Sequence, residues 1–123
     1  MKYIFFLLLI TACSSKRISE DAFESSIWKN DKMGCESKRL DLLDNFEAIK
    51  SKIIGISEND TRRLLGAPDK VQLFERSQKF YIYFIEPGKQ CEGNAHNQKE
   101  GRSYHVRFNS LNQVNEISLA LPK

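Results

Sequence analysis

Hydrophobic positions change their spacing along the chain, and each change predicts a different kind of element. Residues 3–10 form an unbroken apolar run, far shorter than the roughly 20 residues that a membrane-spanning helix needs. Residues 13–21 are polar and aperiodic and read as a flexible tether. Ala22, Phe23 and Ile27 lie at helical spacing, which predicts a short helix ending near Asn30. From Ser37 onward, Leu40, Leu43, Phe46, Ile49 and Ile53 recur at three- and four-residue steps between charged residues. This spacing predicts a helix over 37–52 with one apolar stripe facing the core. Gly55 breaks it. Ser57 then opens a second helix as N-cap, with acids in its first turn, Leu64-Leu65 on its apolar side, and Gly66 and Pro68 as stop signals.

Beyond Pro68 the period falls from 3.6 to 2. Val71 and Leu73 alternate with polar neighbours. Phe80, Ile82 and Phe84 share one strand face, and Tyr81, Tyr83 and Ile85 share the other. Tyr104, Val106 and Phe108 alternate with His105 and Arg107, and Ile117, Leu119 and Leu121 follow a turn at Asn109-Ser110-Leu111-Asn112. Two hairpins are predicted, 70–85 and 103–120. Residues 86–102 lack apolar periodicity and hold three of the six glycines, so they read as a long exposed loop. The expected fold class is α+β, one domain over 22–123 with two helices packed on a three- to four-stranded antiparallel sheet.

The amino-terminal pattern changes how the rest is read. Lys2, the apolar run and the small residues after it make a secretory signal peptide over residues 1–12. Ile10-Thr11-Ala12-Cys13 resembles the bacterial lipobox. In proteins carrying that motif the cysteine thiol receives a diacylglycerol, cleavage falls just before it, and the new amino terminus is usually acylated with a palmitate-type chain. The competing readings are an ordinary signal peptide with an incidental cysteine, or an anchor helix. The lipobox reading makes Cys13 the lipid-attachment site, 13–21 a lipidated tether, and the protein a lipoprotein of the periplasm. By the sorting preference of enteric bacteria, Ser14 in place of Asp implies the outer membrane, on its periplasmic face. Lys16-Arg17 stand where they can touch anionic headgroups, or they belong to a merely soluble tether.

The chain has 123 residues, three cysteines and a formal net charge of +3 with intermixed signs. That balance is not a nucleic-acid footprint, and export argues against such a partner. With Cys13 taken by lipid, Cys35 and Cys91 remain, and in an oxidising compartment they read as a disulfide, with buried free thiols as the alternative. No Cys-x-x-Cys element is present to support a redox role.

Ile54-Gly55-Ile56-Ser57, followed by Leu64-Leu65-Gly66-Ala67-Pro68-Asp69, resembles the SmpA/OmlA (BamE-like) lipoproteins, in which a glycine, a small hydroxylated cap and a short helix end in Leu-Gly-x-Pro. Phe80-Tyr81-Ile82-Tyr83-Phe84 sits where that family carries its aromatic strand, and Val106-Arg107-Phe108-Asn109 with Val114-Asn115-Glu116-Ile117 is similar to its closing hairpin. The resemblance implies two helices on a three-stranded antiparallel sheet (ααβββ), a shape shared with the repeats of a beta-lactamase inhibitor protein. It also implies a non-enzymatic protein-binding role in outer-membrane assembly or envelope maintenance. Thr61 in place of an apolar residue, the long 86–102 loop and the Cys35/Cys91 pair depart from the family pattern.

Candidate chemistry is sparse. His96 and His105 are the only histidines; His96 has Cys91, Glu92 and Glu100 nearby, but the spacing matches no zinc pattern. No nucleophile triad order, phosphate loop or His-Glu-x-x-His appears. Asp41 and Asp44 lie on a helix face expected to be solvated, and Trp28 is expected against the disulfide or the domain edge. No metal or cofactor is expected. If the helices cover the Phe80 face, Tyr81 and Tyr83 form the partner-binding candidate; core packing or a fourth strand are their alternative uses. The leading expectation is a lipid-anchored interaction module that contacts envelope proteins. A small-ligand or inhibitor-type binding module on the same fold comes second, and a metal-dependent hydrolase around His96 and His105 comes last.

Overall fold

The computed structural model describes residues 18–122, apart from 22 and 94–98. The lipid-attachment candidate Cys13, the signal peptide, Ser14, Lys16-Arg17 and His96 lie outside the described residues. The elements run α1 Ser25–Asn30, a single 3-10 turn Lys32–Gly34, α2 Lys38–Asp41, α3 Leu43–Ile53, α4 Glu58–Leu65, β1 Lys70–Phe74, β2 Gln78–Phe84, β3 Ser103–Phe108 and β4 Val114–Ala120. The strands form one antiparallel sheet in the order β1-β2-β3-β4. The fold is α+β, with helices on one face of an open four-stranded sheet. Among the described residues no helix is long and apolar enough to cross a membrane.

The short first helix ends at Asn30, where the apolar spacing stops. The helix expected over 37–52 is split at Leu42, whose dihedrals (φ −91, ψ 8) leave the helical region. No glycine or proline announces this break. Its cause is tertiary: α2 turns Arg39 toward the end of the sheet, while α3 presents Phe46, Ile49 and Ile53 to the sheet's face. Asp31 supports the start of α2 from a distance, accepting the Glu36 N–H at 2.9 Å and the Arg39 N–H at 3.0 Å. The Arg39 N–H is one of the donors that a helix start leaves without an intrahelical partner.

α4 follows its punctuation closely. The Ser57 hydroxyl accepts the Asp60 N–H at 3.1 Å, and Gly66 closes the helix at φ 79. Thr61 is fully buried, and its hydroxyl donates to the Ser57 carbonyl at 2.9 Å. The departure from an apolar residue therefore costs no unsatisfied polar group. The α3–α4 connection is tied to the sheet, since Gly55 N–H donates to Val114 O and Val114 N–H to Ile56 O at 2.7 and 2.9 Å. In the β3–β4 turn, the Asn109 side chain accepts the N–H groups of Leu111 and Gln113.

The core corrects the expected use of the tyrosines. Tyr81 and Tyr83 are buried, as are Tyr104, Val106 and Phe108 on the same face, so Tyr81 and Tyr83 do not form an exposed binding face. The helices cover them because their polar ends find partners there. Tyr83 donates to the Gly66 carbonyl at 2.9 Å, where α4 ends. The Tyr81 hydroxyl accepts from Arg62 Nε at 2.9 Å and donates to Glu58. A buried tyrosine with a satisfied hydroxyl behaves as a large apolar side chain. Trp28 is likewise central rather than at an edge, stacked on Phe46 (5.1 Å between centroids, 10° between planes), and Phe46 continues to Tyr104 at 4.2 Å.

Candidate functional site

With helices on the tyrosine face, Phe74, Phe80, Ile82, Phe84, His105 and Arg107 fall on the opposite face, which none of the described helices covers. This open face divides into two regions. At the end where β2 leaves and β3 enters, a groove of about 510 Å³ is floored by Ile82 and Phe84 and lined by Ser103, His105 and Leu121. Its lip is an ion pair between Lys70 and Glu100 at 2.7 Å, with the Lys70 ammonium 5.3 Å from the centre of the Phe84 ring. Lys89 adds a second cation. At the other end Phe74 meets Phe80 edge-on at 6.0 Å, and Phe80 meets His105 at 6.1 Å. The Arg107 guanidinium lies 6.0 Å from the centre of the Phe74 ring and 5.9 Å from that of Phe80. Gln78, at 2.9 Å, and Glu116 hold it there. Aromatic surface interleaved with cations is suited to binding acidic or aromatic groups, and guanidinium–ring stacking is one of the contacts such surfaces use.

A buried charged cluster that sequence reasoning missed grips the backbone of Phe84, one of the residues lining the groove. Arg39 is 1% exposed. Its Nε donates to the Trp28 carbonyl at 2.9 Å; one terminal nitrogen donates to Asp69 at 2.6 Å and to the Phe84 carbonyl at 3.0 Å. The guanidinium also lies over the Trp28 ring at 5.2 Å. Asp69 in turn accepts the N–H groups of Met33 (3.1 Å) and Phe84 (2.8 Å). One buried pair thereby joins α1, the 3-10 turn, α2 and the end of β2. The only trace in the sequence is an acid directly after the Leu-Gly-x-Pro stop; nothing local distinguishes Arg39 from its charged neighbours.

The 86–102 segment is less free at its ends than its composition implies. Ile85 N–H donates to Arg102 O at 3.0 Å and Lys89 N–H to Lys99 O at 2.8 Å, extending the β2–β3 ladder. A Cβ on Gly101 would stand 2.2 Å from the Glu86 carbonyl oxygen, so this approach requires glycine. The Gln90 amide donates to Met33 O and Glu86 O and accepts from Gly101 N–H. Glu86 takes Arg102 through two side-chain nitrogens and its backbone N–H. Those hydrogen bonds, Arg102's side chain foremost, hold the Glu86 carboxyl below the usual carboxylate range. Cys35 and Cys91 are joined, with Cα atoms 5.8 Å apart, and this link pins the loop to the segment between the 3-10 turn and α2.

Of the candidates read from the sequence, His105 and Glu100 line the groove, while Cys35 and Cys91 are not among its lining residues. Asp41 and Asp44 are exposed. Among the described residues, no group of three or more histidine, cysteine, aspartate or glutamate side chains is placed to hold a metal ion. No protein-family model, curated protein or solved structure matches this chain.

Proposed function

We propose that this chain is a lipid-anchored interaction module of the bacterial periplasm, held at the outer membrane through Cys13 and binding an envelope protein on the open face of its sheet. The observation that carries the binding surface is the aromatic–cation array of Phe74, Phe80 and Arg107, left uncovered by the helices. The anchor rests on Ile10-Thr11-Ala12-Cys13 and the apolar run before it. Membership of the SmpA/OmlA lipoproteins is part of the same proposal, supported by the ordered motifs from Gly55 to Ile117 and by the α+β architecture. The role is protein binding rather than catalysis, because the open face offers shape, rings and charge rather than a paired nucleophile and base.

Two measurements test the two halves. Cys13→Ala should abolish incorporation of labelled palmitate and release the protein from the membrane fraction; retention of both would refute the anchor. A photo-crosslinking residue at Phe80 should trap a defined envelope protein in living cells, and the same residue at Asp44, on the helical side, should not. Arg107→Glu should remove that adduct. Equal adducts from both sides, or none from Phe80, would refute the face as the binding site. The groove itself favours a second reading, a small-ligand module, since its volume falls within the range of small-molecule sites. A copurifying small molecule lost on Ile82→Glu, with no Phe80 adduct, would establish that reading instead.

A further inference from the structure

We propose that the free edge of β1 joins two copies of this chain, pairing antiparallel about Gln72 so that the two sheets become one. Among the described residues, β1 is the end strand and is hydrogen-bonded only to β2. All five of its side chains are exposed, and three are large and apolar: Val71 at 51%, Leu73 at 80% and Phe74 at 55%. Val71 and Leu73 lie on the helix-covered face but beyond the reach of the helices, so the sheet overhangs its own core. β1 lacks most of the devices that usually blunt an edge strand. Its register is regular, it contains no proline, and its single charge, Lys70, is drawn to Glu100 over the open face.

The backbone shows which groups await a partner. The Ile85 N–H donates to Arg102 in β3's direction, so odd-numbered residues of β2 turn their backbone groups to β3 and even-numbered ones to β1. The Ile82 carbonyl accordingly accepts the Asp69 N–H, and the Phe84 N–H reaches the Asp69 carboxylate. Gln72 stands opposite Phe80, so its N–H and C=O are engaged with β2. Val71 and Leu73 therefore direct their N–H and C=O groups outward along the open edge.

A two-fold axis through Gln72, perpendicular to the sheet, pairs Val71 with Leu73 of the second copy and satisfies all of those outward groups. It also packs the two exposed aliphatic side chains together. On the open face it sets Lys70 opposite Phe74 of the second copy, so that no like charges face each other. Moving the axis to Leu73 would set Lys70 opposite Arg76 of the second copy, cation against cation. Moving it to Val71 would oppose Leu73 to Asp69, whose carboxylate is buried on Arg39. Hydrogen bonding and charge thus select one register. A five-residue edge is smaller than the roughly 800 Å² per partner of a standard stable interface, so the dimer is reversible and concentration-dependent. It also places two open faces side by side on one surface.

The test is the oligomeric state of the full chain in detergent, measured by sedimentation over a wide concentration range. The expected result is a monomer–dimer equilibrium that Leu73→Glu weakens by at least about tenfold, and that Leu111→Glu, at an exposed turn residue, leaves unchanged. Gln72→Cys should form a reducible dimer, because a directly opposed, non-hydrogen-bonded pair falls within disulfide reach; Leu111→Cys should not exceed the unsubstituted protein. A monomer at every concentration would overturn the proposal. So would equal dimer from the two cysteine variants, or an edge-dependent complex with a different protein and no self-association. If Leu73→Glu does not fold, the cysteine comparison decides alone.

Discussion

Removing the Asp69 carboxylate should be among the most damaging single changes available in this protein. Asp69→Ala leaves the Arg39 guanidinium, 1% exposed, without its counter-charge. It also strips the N–H groups of Met33 and Phe84 of their acceptor. Breaking a buried pair by deleting one partner costs about 3–5 kcal/mol, and an orphaned buried N–H about 1–3 kcal/mol more unless water reaches it. Against a total stability of about 5–15 kcal/mol, the variant should be close to unfolding. Replacing both partners, Arg39→Met with Asp69→Leu, removes the uncompensated charge and should recover part of the loss. Urea unfolding followed by circular dichroism measures this, and with a slope of about 2 kcal/mol/M a 4 kcal/mol loss moves the midpoint by about 2 M. The four-way cycle should give a coupling of about 2 kcal/mol or more. If Asp69→Ala costs less than about 1 kcal/mol, a size expected only of a solvent-exposed ion pair, the cluster is not the clamp described above.

Three further outcomes follow from the same contacts. Intact mass with and without reduction should differ by two hydrogen atoms, and breaking the Cys35–Cys91 link, which spans 56 positions, should lower stability by up to about 4 kcal/mol, whereas unchanged stability would mean the loop is held by Gln90 and Glu86 alone. Tyr83→Phe should cost about 1 kcal/mol in urea unfolding, since it removes the hydrogen bond to Gly66 but keeps the ring; no cost would contradict a satisfied hydroxyl at that position. Glu86 is depressed below its ordinary carboxyl value of 4.5, Arg102's side chain being the main cause, so its contribution is complete above that value and lost as pH falls through the lowered one. The stability gap between the unsubstituted protein and Glu86→Gln should therefore close on acidification, and a gap independent of pH would refute the assignment.

Much of the secondary structure was legible because its signals are local. Ser57, Gly66 and Pro68 bracket α4, and alternation places both hairpins, since capping and the two-residue strand period act within a few positions of the residues that carry them. The split at Leu42 was not legible, because a sequence without a breaker continues a helix until a distant demand interrupts it, here the reach of Arg39 to Phe84. Nor was the clamp itself, whose members are separated by 30 positions. Which face of the sheet the helices cover was not legible for a related reason. β2 carries apolar or aromatic side chains on both faces, so periodicity cannot say which one the helices cover.

The sequence alone determined the α+β class, the two hairpins, the placement of Ser57 at a helix start and the candidate pairing of Cys35 with Cys91. It also carried the whole argument for a lipid at Cys13. Tertiary structure decided the inside of the sheet. Tyr81 and Tyr83 turn inward because Gly66, Glu58 and Arg62 meet their hydroxyls, and a face lined by Phe74, Phe80 and Arg107 is left outward. The physical reason is that burying a tyrosine depends on whether a partner reaches its oxygen, and that partner lies on another element of the fold.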